Sequence, residues 1–265
     1  MATQTQYPLH LNRYGNPNTE TTPILALHGF TGCGADFAPL IDQESLSEHN
    51  WCAPDLIGHG KSPTPDADSP YTQAAMIEQV ADLIEKPCVL IGYSMGGRLS
   101  LGVALAYPEK IEKLILISAS PGIRDAQTRS VRKLDEEKLA DKILEDGIPS
   151  FIEYWHQQPL ITTQQQSKDY EALLTQRLKN KAEGLSNSLR NFGQGSMVAL
   201  WDHLYDLECP TLLITGESDV QYTKIAQAML QQIPEVKHEV ISGSGHAPHL
   251  EAPETLGKSI SRFLG

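Results

Sequence analysis

Ser94 has the setting best suited to reactivity in this chain, lying in Gly92-Tyr93-Ser94-Met95-Gly96, a G-x-S-x-G pattern. It follows the apolar run Val89-Leu90-Ile91, whose lack of alternation suits a strand buried on both faces. It precedes Arg98 to Tyr107, which reads as a helix. A serine at so tight a strand-to-helix turn sits in strained backbone, its hydroxyl raised above the sheet edge. Flanking glycines are required because a Cβ would clash where strand and helix close on each other. The hydroxyl becomes a nucleophile or base only if a histidine takes its proton and a carboxylate orients that histidine. Asp219, in Gly216-Glu217-Ser218-Asp219, and His246, in Gly243-Ser244-Gly245-His246, supply both, each just beyond a strand-like run. Alone, the five-residue pattern fits an ordinary glycine-rich turn equally well, so the two partners decide.

Rival assignments exist for each partner. Asp219 also reads as a helix N-cap. Asp202 and Asp206 lead into the following strand and therefore stand at its wrong end. His249 is near His246, but it lies within the approach to a helix, whereas Gly245 leaves room around His246. His28 and His59 read as loop-stabilising. Serine, aspartate and histidine in that order, each at the C-terminal end of a strand, form the α/β-hydrolase arrangement. In it, an oxyanion is held by the amide after the nucleophile, here Met95, and by one from the loop after an earlier strand, here Phe30 in His28-Gly29-Phe30.

The elements that must position these residues follow from hydrophobic pattern. Tyr7 to Tyr14 alternates as an edge strand should, and Asn16-Pro17-Asn18-Thr19 is a turn. Strands are expected at Ile24–Leu27, Trp51–Pro54, Val89–Ile91, Leu114–Ile117, Thr211–Thr215 and Val236–Ile241. Helices are expected at Ala35–Leu46, Tyr71–Ile84, around Ile225–Leu230 and at Pro253–Phe263. Such alternation implies an α/β fold with a mostly parallel, doubly wound sheet. Between Ser120 and about Leu200 strand-like runs vanish and polar, helix-forming residues dominate. The expected organisation is a core of residues 1–119 and 201–265 with a helical cap, 120–200, inserted over the strands' C-terminal edge, where such sheets bind ligands.

Composition narrows the classes. With 265 residues, 40% hydrophobic and 20% charged, the chain can bury a full-sized core. A net charge of −12 argues against a nucleic-acid partner, which would need a basic patch. Cys33, Cys52, Cys88 and Cys209 form no C-x-x-C pair, favouring buried thiols over a disulfide frame or a metal site. The start shows no secretory signal, and no apolar run reaches the roughly 18 residues of a membrane span. The expectation is a cytoplasmic protein. Nothing in the sequence fixes an oligomeric state, and a monomer is compatible with it.

Substrate class is carried by arginine. Arg98 lies four residues after Ser94, one helical turn, on the face that points back toward the pocket. Its helix carries Leu99, Leu101, Val103 and Leu105, so this charge reads as buried and in need of a partner; the alternative is a surface arginine. An anionic substrate gripped by the guanidinium fork supplies one. Five of the eight arginines (Arg124, Arg129, Arg132, Arg177 and Arg190) fall in the inserted segment, where a subset turned inward would focus anions on the site. Trp155 could wall a ring or simply pack in a core.

On these residues the chain resembles the α/β-hydrolase superfamily throughout. More narrowly it resembles the 2-succinyl-6-hydroxy-2,4-cyclohexadiene-1-carboxylate synthases of menaquinone and phylloquinone formation. The narrower resemblance rests on the turn ending in Arg98, on Ser120-Pro121-Gly122-Ile123-Arg124 followed by Arg129 and Arg132, on Trp155 with Gln157-Gln158-Pro159, on Arg177 and on the Gly245-His246 turn. It implies a lyase with Ser94, Asp219 and His246 catalytic, Phe30 and Met95 at the oxyanion, and Tyr93, Arg98, Arg132, Trp155 and Arg177 binding a small polycarboxylate. It also implies no metal and no organic cofactor. His156 departs from the tyrosine that often follows the tryptophan in that family. The residue reading leaves two rivals: a serine hydrolase of carboxylic esters or carbon–carbon bonds, and a hydrolase-fold ligand receptor.

Overall fold

The computed structural model describes residues 6–17 and 19–265. The first five residues of the start, which shows no secretory signal, and Asn18 of the expected turn lie outside the described residues. Among the described residues, seven strands form one sheet: β1 (Leu11–Tyr14), β2 (Ile24–Leu27), β3 (Trp51–Pro54), β4 (Cys88–Tyr93), β5 (Ile111–Ile117), β6 (Thr211–Gly216) and β7 (Val236–Ile241). Their order is β1-β3-β2-β4-β5-β6-β7, with β1 antiparallel to β3 and the other neighbours parallel. The edge strand expected over Tyr7–Tyr14 pairs only from Leu11, because β3 offers it a four-residue ladder, Leu11 opposite Pro54 to Tyr14 opposite Trp51.

The unalternating apolar runs are explained by burial on both faces. Leu25, Leu27, Leu90, Leu114 and Leu116 point into one core, while Ile24, Ala26, Val89, Ile91 and Ile115 point into the other. The covering helices are α1 (Ala38–Ile41), α2 (Gln73–Ala81), α3 (Met95–Ala106), α7 (Val220–Met229), α8 (Pro248–Glu251) and α9 (Pro253–Leu264). Helix α2 is shorter than the expected Tyr71–Ile84: Thr72 caps it, accepting from the Ala75 amide at 3.4 Å, after a 3₁₀ turn through Pro70. The helix expected over Ala35–Leu46 splits into a 3₁₀ turn, Gly34–Phe37, and α1.

Between β5 and β6 the chain contributes α4 (Ala126–His156), α5 (Tyr170–Arg177) and α6 (Ala182–Phe192). Helix α4 is broken at Gly147, whose φ of 73° interrupts the helical backbone two residues before Pro149. Its buried stripe of Ala140, Ile143, Phe151 and Ile152 meets Leu185 and Leu189 of α6 in a small core of its own. Phe30 and Trp155 are keyed against that core, which seats this roof over the strand ends. No helix among the described residues is long and apolar enough to cross a membrane.

Candidate active site

Strand β4 is the middle strand, buried along its six residues, and it ends directly at the turn. Helix α3 starts at Met95, three residues before the expected Arg98, because the turn contains no linker and Ser94 is itself the N-cap. Ser94 has φ 50° and ψ −108°, a conformation that costs a non-glycine residue on the order of 1–3 kcal/mol. Closeness of approach dictates the glycines: a Cβ on Gly96 would lie 2.1 Å from the Leu27 carbonyl, and one on Gly92 would lie 2.3 Å from Ser100 Oγ. The strain is held in place by the Ser94 amide donating to the Ile117 carbonyl at 2.9 Å.

Ser94, Asp219 and His246 meet. Asp219 accepts the Nδ1–H of His246 on Oδ2 at 2.7 Å, which leaves His246 Nε2 to face Ser94 Oγ at 3.0 Å. The other oxygen of Asp219 accepts the Tyr222 amide at 3.1 Å and caps α7. The two readings of Asp219 therefore hold together, one per carboxylate oxygen. The loops bearing the pair are stitched to each other: the Ser218 amide donates to the Ser244 carbonyl at 3.0 Å, and the Gly243 amide to Glu217 at 3.0 Å. The rival carboxylates Asp202 and Asp206 sit in a 3₁₀ turn before β6, where they bond Arg124 and His203.

The other histidines are accounted for as structure. His28 donates from Nδ1 to the Gly29 carbonyl at 2.8 Å and accepts the Leu56 amide at 2.9 Å, pinning the Phe30 loop. His59 packs edge-on against His28 and Phe30. His249 is fully buried between Phe37 and Tyr93 with no partner for either nitrogen, and burial pushes its pKa down to about 3. A ring so resistant to protonation cannot serve as a base near neutral pH.

A chamber of about 80 Å³ lies beside Ser94 and His246, lined by Phe30, Tyr93, Met95, Arg98 and Trp155 among others. It adjoins an outer cleft of about 740 Å³ that shares Arg132, Glu136, Trp155 and His246 with it. The Tyr93 ring tilts against His246 at 5.4 Å, and its hydroxyl accepts from Gln164 at 3.2 Å. Trp155 stacks on Phe151 at 5.9 Å and also lines both cavities.

Arg98 is 9% exposed and makes no ion pair among the described residues; Glu136, which lines the same chamber, is bonded to Arg132 instead. One terminal nitrogen donates to the Phe192 carbonyl at 3.2 Å, the guanidinium lies 5.5 Å from the Phe192 ring centre, and Nε has no partner. Burial pulls its pKa down, a sign of incomplete compensation for lost hydration. Arg132 also lines the chamber, its Nε bonded to Glu136 at 2.7 Å. Glu136 is buried and further accepts the Gln194 and Gly195 amides at 3.0 and 2.8 Å.

Arg177 departs from the expected convergence: it lines neither the chamber nor the outer cleft. Its fork is occupied, one nitrogen donating to His156 Nε2 at 2.7 Å and the other to Gln164 Oε1 at 2.6 Å. His156 is thereby kept neutral, donating from Nδ1 to Tyr170 at 2.7 Å, with burial and the neighbouring Arg177 lowering its pKa to about 4. Arg177 reaches the site indirectly, through Gln164 to the Tyr93 hydroxyl. Arg124, Arg129 and Arg190 bond to Asp202, to backbone carbonyls and to Asp141.

Sequence reasoning missed Tyr222, whose ring lies 4.5 Å from His246, and Glu136. The i,i+4 spacing of Arg132 and Glu136 on one helix was the available signal for the latter. Among the described residues no cluster of three or more histidine, cysteine or acidic side chains could hold a metal ion.

A serine at a strained turn after the central strand, its histidine and aspartate on later strand ends, and a helical roof over them define a capped α/β-hydrolase-type enzyme. The alpha/beta hydrolase fold family matches residues 22–253. A Bacillus subtilis protein provisionally named 2-succinyl-6-hydroxy-2,4-cyclohexadiene-1-carboxylate synthase is 35% identical over 91% of this chain and 89% of its own length. An Enterobacter synthase of the same name is 26% identical over 91% of each chain. The structure of MenH from S. aureus superposes with a TM-score of 0.87 at 30% identity, covering 96% of this chain and 97% of that one. The chain belongs to the alpha/beta hydrolase fold family and, within it, to the 2-succinyl-6-hydroxy-2,4-cyclohexadiene-1-carboxylate synthases.

Proposed function

We infer that the protein is a lyase that eliminates pyruvate from 2-succinyl-5-enolpyruvyl-6-hydroxy-3-cyclohexene-1-carboxylate, giving the 2,4-cyclohexadiene product on the way to menaquinone or phylloquinone. The observation that carries the reading beyond a generic hydrolase is Arg98, a buried cation that makes no ion pair among the described residues and lines the same chamber as Ser94.

In this mechanism His246, oriented by Asp219, draws the proton from Ser94, and Ser94 removes the substrate proton α to the succinyl ketone. Negative charge moves onto the ketone oxygen, where the Phe30 and Met95 amides would receive it, the latter at the N-terminus of α3. The electron pair then passes through the ring alkene and breaks the carbon–oxygen bond to the enolpyruvyl group. That group leaves as an enolate and takes up a proton to become pyruvate. Hydrolase parts are reused without an acyl-enzyme, since both reactions place charge on a carbonyl oxygen. In this reading Arg98 and Arg132 meet the substrate carboxylates, Trp155 and Tyr93 bound the ring, and Arg177 holds Tyr93 through Gln164; the lining of the chamber by the first four and the Arg177–Gln164–Tyr93 bonds support it. The enzyme is read as cytoplasmic, acting on a free polycarboxylate without a cofactor.

The purified protein given the enolpyruvyl substrate should release pyruvate, followed with coupled lactate dehydrogenase. No release above background sinks the reading. Efficient turnover of neutral esters that survives Arg98→Ala would favour a serine hydrolase instead.

A further inference from the structure

The loop that carries His246 is held by a carboxylate outside the triad. Glu251, at the end of the short helix α8, accepts the Gly245 amide on Oε2 at 2.6 Å and the Ala247 amide on Oε1 at 3.0 Å. These are the residues on either side of His246, so one carboxylate brackets its peptide from both directions. Oε1 also accepts the Thr163 hydroxyl at 3.1 Å, and Thr163 belongs to the inserted roof. The roof turn Thr162–Gln166 thus stands directly on the histidine loop. A Cβ on Gly245 would come within 2.4 Å of Thr163 Oγ1, so the space that glycine leaves is filled by the roof. The neighbouring Ser167 hydroxyl adds a bond to the Leu250 carbonyl at 3.0 Å.

We propose that Glu251 is a positioning residue for His246, fixing the imidazole between Asp219 and Ser94 by bracketing its backbone and tying it to the roof. The physical reason is that the bonds to the Asp219 loop hold the backbone of the histidine loop only at Gly243 and Ser244, ahead of Gly245 and His246. After β7 ends at Ile241 the chain runs through two glycines, Gly243 and Gly245, which add freedom just where the imidazole must not drift. A carboxylate accepting from two amides replaces that freedom with a fixed geometry, and an ionised acceptor forms the stronger kind of bond. A catalytic imidazole displaced by about 1 Å can lose on the order of a hundredfold in rate. Glu251 does not line the chamber, so it acts through His246 and not on substrate.

The inference rests on the proposed elimination for its rate measurement, and the test separates the two. Glu251→Gln preserves shape but turns one acceptor into a donor facing an amide N–H. Glu251→Asp keeps two acceptors on a shorter reach. In folded Glu251→Gln, kcat for pyruvate release should fall about tenfold or more with KM within about twofold, and Glu251→Asp should lie between it and the parent. The ring N–H signal of His246 in NMR spectra should broaden or vanish in step. A kcat retained within about twofold in both variants overturns the proposal, as does a fall in kcat matched by a proportionate rise in KM. If Glu251→Gln does not fold, Glu251→Asp decides by the same criteria. If the parent protein releases no pyruvate, the functional reading fails while the NMR comparison still decides: an unchanged His246 signal in Glu251→Gln overturns the positioning role, and a lost one upholds it.

Discussion

Along the sheet rim the polar atoms that orient one another are all partnered: both oxygens of Asp219, both nitrogens of His246, and Ser94 Oγ facing that histidine. Under the roof the cations are left partly open, with Nε of Arg98 and Nε of Arg177 both lacking a partner. The two arginines then differ from each other. Arg177 spends its fork on His156 and Gln164, whereas Arg98 spends a single nitrogen on a backbone carbonyl. The rim is complete before any ligand arrives and says only that a proton can be moved. On the proposed function the opening at Arg98 would select the ligand, because a buried donor without an acceptor costs about 1–3 kcal/mol until something anionic satisfies it.

That contrast can be broken first at the rim. Ser94→Ala should lower kcat for pyruvate release by about 10²–10⁴-fold, the range for loss of a positioned acid–base group, while leaving retention of substrate on an equilibrium binding assay within a few-fold. Loss of binding to the same degree would mean that rim and roof are not separable.

The next effect distinguishes the two arginines. Arg98→Met should weaken kcat/KM by about 10–100-fold, yet leave thermal stability unchanged or raised, since replacing an uncompensated buried charge by an apolar group is often neutral or stabilising. Arg177→Met should do the reverse. It strands His156 Nε2 and Gln164 Oε1, costing about 2–4 kcal/mol in urea unfolding, with a smaller loss of activity. Equal destabilisation by both substitutions would erase the distinction.

The smallest effect concerns the histidine packed behind the rim. His249 has a folded pKa of about 3, so between its ordinary value near 6.5 and that value the unfolded chain takes up a proton that the fold refuses. Its contribution is present above pH 6.5 and is lost as pH falls. His249→Phe, which keeps an aromatic ring between Phe37 and Tyr93, should reduce the stability lost between pH 7 and pH 5 by about 1–2 kcal/mol in urea titrations. An unchanged pH dependence would contradict it.

Much of the rim was legible in the sequence because it depends on local rules. A glycine pattern after an apolar run places Ser94, and runs ending at Thr215 and Ile241 place Asp219 and His246. The roof was legible as helical but not in detail. Which of its arginines turn inward depends on the break at Gly147 and on the contact of α4 with α6, both tertiary, and no periodicity distinguishes Arg132 from Arg177. The missed residues share that cause. Tyr222 matters because capping by Asp219 aims the first turn of α7 at His246, and Glu136 because the turn after α6 brings the Gln194 and Gly195 amides onto it. Element ends shifted where a cap or a short partner strand decided them, as at Thr72 and β1.

The division of the site into a small chamber beside Ser94 and a larger outer cleft has a consequence for how a ligand would fill it. Sites that enclose small organic ligands run to about 300–1,000 Å³, several times the 80 Å³ found here. The outer cleft of about 740 Å³ also reaches His246, so a ring bearing a succinyl and an enolpyruvyl arm would span both spaces, across the walls that they share, Trp155, Leu160 and Ile161. Those three side chains stand where the two spaces meet, and the bulk at that neck governs which arm of a ring could lie next to Ser94.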